Sequence, residues 1–146
     1  APHYEAMYNA ALKDGARLTP YSGYRSYSYQ KKLYENRIKT YTSAGYSYAA
    51  AKKKAATINM PPGSSEHNLG LAMDIVCVKN SFEKTKEFRW LTAHAHEYGF
   101  ILRYPKDKQD ITKVIYEPWH WRYVGTQLAR ELKNSGQTLE EYYGVD

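Results

Sequence analysis

Asp74 stands between Met73 and Ile75 in the run Leu71 to Val78, where Ile75, Val76 and Val78 read as a buried strand. A carboxylate on such a strand is costly to bury unless it is paired or bound to a cation. The fold must therefore bring other groups to Asp74. His67 is seven residues earlier, just after Met60-Pro61-Pro62-Gly63. That breaker makes Ser64 to Asn68 loop. Gly70 lets the backbone turn between loop and strand, so both side chains can reach one point.

Glu117-Pro118-Trp119-His120 supplies a second imidazole and a second carboxylate. Residues three apart on a regular strand point to opposite faces, so Glu117 and His120 would diverge. The surrounding Val114, Ile115, Tyr116, Trp121, Tyr123 and Val124 favour strand over helix. Proline inside a sheet marks an edge or a bulge. A break at Pro118-Trp119 is therefore expected, turning Glu117 and His120 into one site. Two imidazoles, a ligating carboxylate and a further carboxylate make the inventory of a catalytic zinc centre: three ligands, an open position and a base.

The rest of the chain reads as helices followed by strands. Helices are expected near 3–15, from Ser26 as cap through about Tyr41, near 47–57, 84–98, 126–134 and 138–143. Strands are expected at Leu18 to Ser22, 71–78, 100–103, 113–117 and 120–124. This order predicts an α+β fold, a small, mainly antiparallel sheet with helices packed around it. With 146 residues and no linker or repeat, residues 1–146 are expected to form one domain.

A net charge of +6 would suit a nucleic-acid binder, but the basic residues read as spread along the chain. Lys52-Lys53-Lys54 reads as the solvated face of a helix. An anionic wall polymer or membrane surface would feel the same field, so no specific nucleic acid is expected. Cys77 is the only cysteine, which excludes an internal disulfide and a thiolate cluster. Its apolar neighbours suggest a buried small hydrophobe. There is no apolar run of 18 residues. Membrane contact is expected only through an N-terminal anchor outside these residues.

Ser65-x-His67-x(6)-Asp74 with Glu117-x-x-His120 resembles the VanY-type D-alanyl-D-alanine carboxypeptidases, a branch of the LAS zinc peptidases. The resemblance continues through Ser22-Gly23-Tyr24-Arg25-Ser26, Gln30, Tyr98-Gly99-Phe100, Leu102-Arg103-Tyr104-Pro105 and Trp121-Arg122-Tyr123-Val124-Gly125, about residues 18–125. It implies that His67, Asp74 and His120 bind Zn2+, that Glu117 is the base, and that Arg25, with Gln30 and Ser65, receives the substrate's C-terminal end. An arginine suits that task, since its planar fork matches a free carboxylate. Ile111-Thr112-Lys113-Val114 lacks a glycine that many relatives carry before the final strands. His94 and His96 diverge on a helix and read as surface or helix-end residues. Trp119 reads equally as substrate wall or core.

The leading expectation is a monomeric, extracytoplasmic D,D-carboxypeptidase that removes terminal D-Ala from peptidoglycan stem peptides. L,D-carboxypeptidase, wall endopeptidase and D,D-dipeptidase activities share these motifs. A silent, metal-bearing wall-binding module is the alternative from another class, and Glu117 speaks against it, because a structural site needs no base.

Overall fold

The computed structural model describes residues 2–145. Helices α1 (Pro2–Lys13), α2 (Tyr27–Ser43), α3 (Tyr48–Ala56), α4 (Lys86–His94), α5 (Gln109–Thr112), α6 (Thr126–Ser135) and α7 (Leu139–Tyr143) surround four strands. The strands are β1 (Pro20–Ser22), β2 (Ala72–Ile75), β3 (Phe100–Leu102) and β4 (His120–Tyr123). They form one antiparallel sheet in the order β1-β2-β4-β3. The expected α+β class and antiparallel sheet are thus what the chain adopts. No helix among the described residues is long and apolar enough to cross a membrane.

Local chemistry sets most boundaries. Ser26 and Ser47 cap α2 and α3 by accepting the N–H groups of Tyr29 and Ala50. Gly15 takes φ +86 beyond α1, a conformation glycine adopts without steric cost. Gly99 has a second reason to be glycine: a Cβ there would lie 2.7 Å from the Tyr123 ring and 3.1 Å from Gly125 backbone.

Several boundaries depart from expectation. The segment 113–117 forms no strand. Lys113 at φ +66 ends the single turn of α5, and both edges of β4 are already taken by β2 and β3. Ile115 N–H goes to Thr57 O instead, and Glu117 N–H to Tyr104 O. Strand β2 stops at Ile75 rather than 78, because Val76 turns to φ +68 and Cys77 N–H bonds back to Ile75 O. Cys77 is consequently half-buried, not buried. The helix expected over 84–98 breaks at His94, beyond which Ala95–Tyr98 is a 3-10 turn. Within the expected loop 64–68, Glu66–Leu69 also winds into a 3-10 turn, with Ser65 as its cap.

The two sheet faces differ. Ile75, Phe100 and Trp121 join Met7, Ala11, Leu18, Phe82 and Leu91 in the main core, against α1 and α4. Ile101, on the opposite face, packs with Ala129, Leu132 and Leu139 of α6 and α7. Helices α2 and α3 close on their own small core of Ile38, Ala51 and Ala55.

Candidate metal centre

Register assembles the centre. Asp74 pairs directly with His120 across β2 and β4, and Ser22 of β1 is opposite Asp74. Directly opposed residues share a face, with Cβ atoms about 5 Å apart. Just past β3, Arg103 N–H bonds to His120 O and extends the row. Ser22, Asp74, His120 and Arg103 therefore run in one line across the sheet. His67 comes in from the Glu66–Leu69 turn, and Gly70 closes that turn at φ +68.

His67 Nε2 lies 3.2 Å from Asp74 Oδ1, and His120 Nδ1 lies 3.3 Å from the same oxygen. All three residues are buried, and one donor atom from each falls within 4.8 Å of the others. The distal nitrogens fix the tautomers. His67 Nδ1–H donates to Gly23 O at 2.6 Å, and His120 Nε2–H donates to Glu66 Oε1 at 3.0 Å. In neutral rings the nitrogens facing Asp74 carry lone pairs; burial favours neutral His120, but hydrogen bonds to Asp74 and Glu66 push its pKa up to about 9, so that a proton competes for Nδ1. His67 Nε2 and Asp74 Oδ1, 3.2 Å apart, are both buried without a hydrogen-bond partner among the described residues. Converging lone pairs in a buried site repel unless a cation sits among them. Two imidazole nitrogens and one carboxylate oxygen, each ring oriented by its other nitrogen, form a donor set that fits zinc.

The segment Ser22–Arg25 orients two of these donors. Ser22 Oγ–H donates to Asp74 Oδ2 at 2.5 Å, Gly23 O holds His67, and Arg25 N–H bonds to His67 O at 2.9 Å. Asn68 Nδ2 returns to Arg25 O at 2.7 Å. The backbone that sets the ligands thus also sets Arg25.

The predicted break at Pro118-Trp119 is present as a turn, with His120 N–H on Glu117 O. It brings Glu117 Oε1 to 3.6 Å from His120 Nδ1. Burial pushes the Glu117 carboxyl up to about 7; the His120 charge opposes this, Asp74 adds to it, Arg25 opposes it and Glu66 adds to it. A carboxyl poised there can both accept and release a proton near neutral pH.

Arg25, Gln30, Ser65, Glu117 and Trp119 all line one cavity of about 880 Å³ with the three candidate ligands. Gln30 Nε2 is spent on Met60 O at 2.7 Å, and its Oε1 is buried without a partner among the described residues. The free Oε1 makes Gln30 available as an acceptor, suited to an amide N–H. Ser65 Oγ accepts from His67 N–H at 3.2 Å and keeps its own proton to donate. Trp119 is both wall and core, since it also belongs to the main core with Trp121 and Ile75. His94 pairs with Glu97 on the surface at 2.6 Å, and His96 lines a separate apolar cavity beside α6.

Glu66 was not singled out from sequence. Its Oε2 accepts from Arg103 Nε and Arg122 Nη1, each at 2.6 Å, while Oε1 holds His120. Burial works to raise its pKa, but the His120 hydrogen bond and the His120, Arg103 and Arg122 charges outweigh it and leave the group at about 2. Asp74 is likewise held well below the usual carboxylate range: burial is outweighed by the two histidines. Its place beside a candidate ligand, in the polar run Ser64-Ser65-Glu66-His67-Asn68, was the one available signal. Nothing local distinguishes it from a solvated loop glutamate.

An α+β domain with a buried two-histidine, one-carboxylate donor set and an adjacent carboxylate in an open cavity belongs to the class of zinc-hydrolase-like folds. Residues 1–126 match the VanY D-alanyl-D-alanine carboxypeptidase family model, and the chain belongs to that family. It is 43% identical over 145 residues to the putative carboxypeptidase YodJ of Bacillus subtilis (strain 168), covering 95% of this chain and 50% of that protein. It is 39% identical over 146 residues to a D-alanyl-D-alanine carboxypeptidase of Enterococcus faecalis (strain ATCC 700802 / V583), covering 100% and 54%. The chain thus spans about half the length of these curated relatives. Its fold superposes on VanYB in complex with D-alanine-D-alanine with TM-score 0.87 at 39% identity, covering 99% of this chain and 80% of that one. A VanY mutant from a VanB-type resistance cassette, in complex with Zn(II), gives 0.84 at 40% identity, covering 97% and 80%. The LdcB LD-carboxypeptidase gives 0.86 at 41%, covering 99% and 67%.

Proposed function

We propose that this chain is the catalytic part of an extracytoplasmic zinc D,D-carboxypeptidase that removes terminal D-Ala from peptidoglycan stem peptides ending in D-Ala-D-Ala. One observation carries the reading: the candidate ligands, Glu117 and Arg25 meet in a single cavity. The D-Ala-D-Ala and Zn(II) named for the VanY structures support it. Loss of D-Ala-D-Ala ends is the chemistry by which such an enzyme contributes to glycopeptide resistance.

His67, Asp74 and His120 would hold the zinc, which when bound would lower the pKa of a water to about 7 and polarise the scissile carbonyl. Glu117 accepts the proton of the attacking water and passes it to the leaving amine. Arg25 pairs its fork with the terminal carboxylate, so only the last peptide bond is in reach. Ser65 adds an O–H donor to that carboxylate, and Gln30 takes a substrate N–H on Oε1. Gln30 is held by Met60 O and Ser65 by His67 N–H, which limits the reorganisation these two need as the substrate reacts.

Glu117→Ala tests the central role. Zinc content should be retained while turnover falls by about 10²–10⁴-fold; unchanged turnover removes Glu117 as the base. Incubation with matched muropeptides ending in D-Ala-D-Ala, or in one D-Ala after a diamino acid, followed by mass spectrometry, tests the substrate. The equally close likeness to an LD-carboxypeptidase favours the second of these as the alternative reading. Release of D-Ala from the pentapeptide alone supports D,D specificity; release from the tetrapeptide alone overturns it.

A further inference from the structure

We propose that Glu140, on the final helix, is a positioning residue for the metal centre, acting on His120 through Arg103 and Glu66; the inference rests on the zinc reading above. The chain of contacts is continuous. Glu140 Oε1 and Oε2 accept from Arg103 Nη1 and Nη2 at 2.7 and 2.8 Å, a bidentate fork. Arg103 Nε donates to Glu66 Oε2 at 2.6 Å, and Glu66 Oε1 accepts from His120 Nε2–H at 3.0 Å. Arg122 Nη1 shares Glu66 Oε2 at 2.6 Å. Two acids and two arginines make a neutral quartet.

Geometry gives this quartet a task besides ion pairing. An ionised carboxylate only accepts hydrogen bonds, so Glu66 obliges His120 to carry its proton on Nε2 and to present Nδ1 to the site. Groups that orient a ligating histidine in this way are part of how a protein tunes its metal. Glu66 has two oxygens and two cationic neighbours, and only a fixed Arg103 leaves Oε1 free for the imidazole. Arg103 is fixed on one side by Glu140 and on the other by stacking over the Tyr104 ring, 4.8 Å from its centroid. Tyr104 in turn lies 4.8 Å from the His120 ring, so both contacts of Arg103 bear on the same imidazole.

Helix α7 lies beyond residue 126, where the family model ends, so the family match assigns Glu140 nothing. The helix is built to hold that side chain still. Thr138 and Glu141 form a capping box at its start, and Lys108 Nζ, just ahead of α5, ties Glu141 at 3.0 Å. Leu139 is buried in the cluster with Ile101 and Leu132. Glu140 is thus the inward acidic residue and Glu141 its neighbour on the capping side.

That pairing of neighbours provides the test. Zinc affinity is measured by competition with a chromophoric chelator for the wild type, Glu66→Ala, Glu66→Gln, Glu140→Gln and Glu141→Gln, alongside thermal melting. Glu66→Ala should weaken zinc binding by about 10- to 100-fold, and Glu140→Gln by roughly 3- to 10-fold because it acts at one remove. Glu66→Gln, which keeps an acceptor for Nε2–H, should recover part of the loss. Glu141→Gln should lower the melting temperature and leave zinc affinity unchanged. Equal zinc affinities for Glu140→Gln and wild type, or equal losses for Glu140→Gln and Glu141→Gln, would overturn the proposal. The His120 Nε2–H proton resonance provides a readout that needs no metal: it should persist in the wild type and exchange faster in both Glu66→Ala and Glu140→Gln. Wild-type protein that takes up no zinc refutes the metal reading itself, and that resonance still decides whether the relay exists.

Discussion

The cavity has two unlike walls. One is the sheet, where Asp74 and His120 face each other across β2 and β4 and each candidate ligand is hydrogen-bonded to Ser22, Gly23 or Glu66. The other is the α2–α3 hairpin, which contributes Gln30, Leu33 and Arg37 and rests on a core of three buried side chains, Ile38, Ala51 and Ala55. Charge separates them further. Residues 27–56 hold seven Lys and Arg against one acidic residue, Glu35, so the entire net +6 belongs to the hairpin and the rest of the chain balances. The basic residues are dispersed, 14 of the 21 lying outside the hairpin, but their unbalanced excess falls on this one segment. Tyr27, Tyr29, Tyr46 and Tyr48 are exposed there too. The sheet wall has the rigidity that a reacting centre demands, while the hairpin has an accessible, cationic surface suited to gathering an anionic substrate.

If the walls divide the work in this way, substitutions should separate chemistry from capture. Asp74→Ala, on the sheet, should abolish zinc uptake and reduce turnover to background, at least 10³-fold by the measure of a lost zinc-activated nucleophile, roughly; stoichiometric zinc in this variant, measured by atomic absorption, would break the division. Arg25→Ala, at the junction of the walls, should retain zinc and lose about 10- to 100-fold in kcat/KM, the worth of a charged hydrogen bond. Arg25→Lys should recover little of it, because a point charge does not reproduce the fork.

Metal removal probes the sheet wall alone. Zinc at a thousand times its Kd should stabilise the fold by about 4 kcal/mol, read as a higher melting temperature that a chelator reverses. Glu117→Ala should keep this increment. Ile38→Ala should cost about 2–4 kcal/mol locally in the hairpin and raise KM without altering zinc affinity. The smallest effect is expected of Lys52→Glu, Lys53→Glu and Lys54→Glu combined: a few-fold higher KM for an anionic muropeptide at low salt, vanishing above about 0.5 M salt as screening removes the field. An effect of that triple variant on kcat would show that the walls are coupled.

What was legible in the chain follows the range of the physics involved. Caps and stops depend on neighbours, so Ser26 and Gly15 located their helix ends well. Pro118 forecast the break before His120 because a proline cannot donate to a ladder. Val114 and Ile115 misled, since their strand propensity counts only if a sheet edge is open, and β4 has none. Glu66 escaped notice because its partners Arg103, His120 and Arg122 are 37, 54 and 56 residues away, just past β3 and on β4.

The amino-acid order by itself determined that Asp74 needed company, that histidines and a second acid were at hand, and that a carboxylate-reading arginine followed a Ser-Gly turn. Those are properties of residue type and short spacing. Only the tertiary structure decided which nitrogen of each histidine faces Asp74, where the net charge gathers, and that a glutamate on the last helix reaches the centre through two arginine contacts. The reason is physical: tautomer, burial and field depend on groups brought together by sheet register, and register is a property of the whole fold.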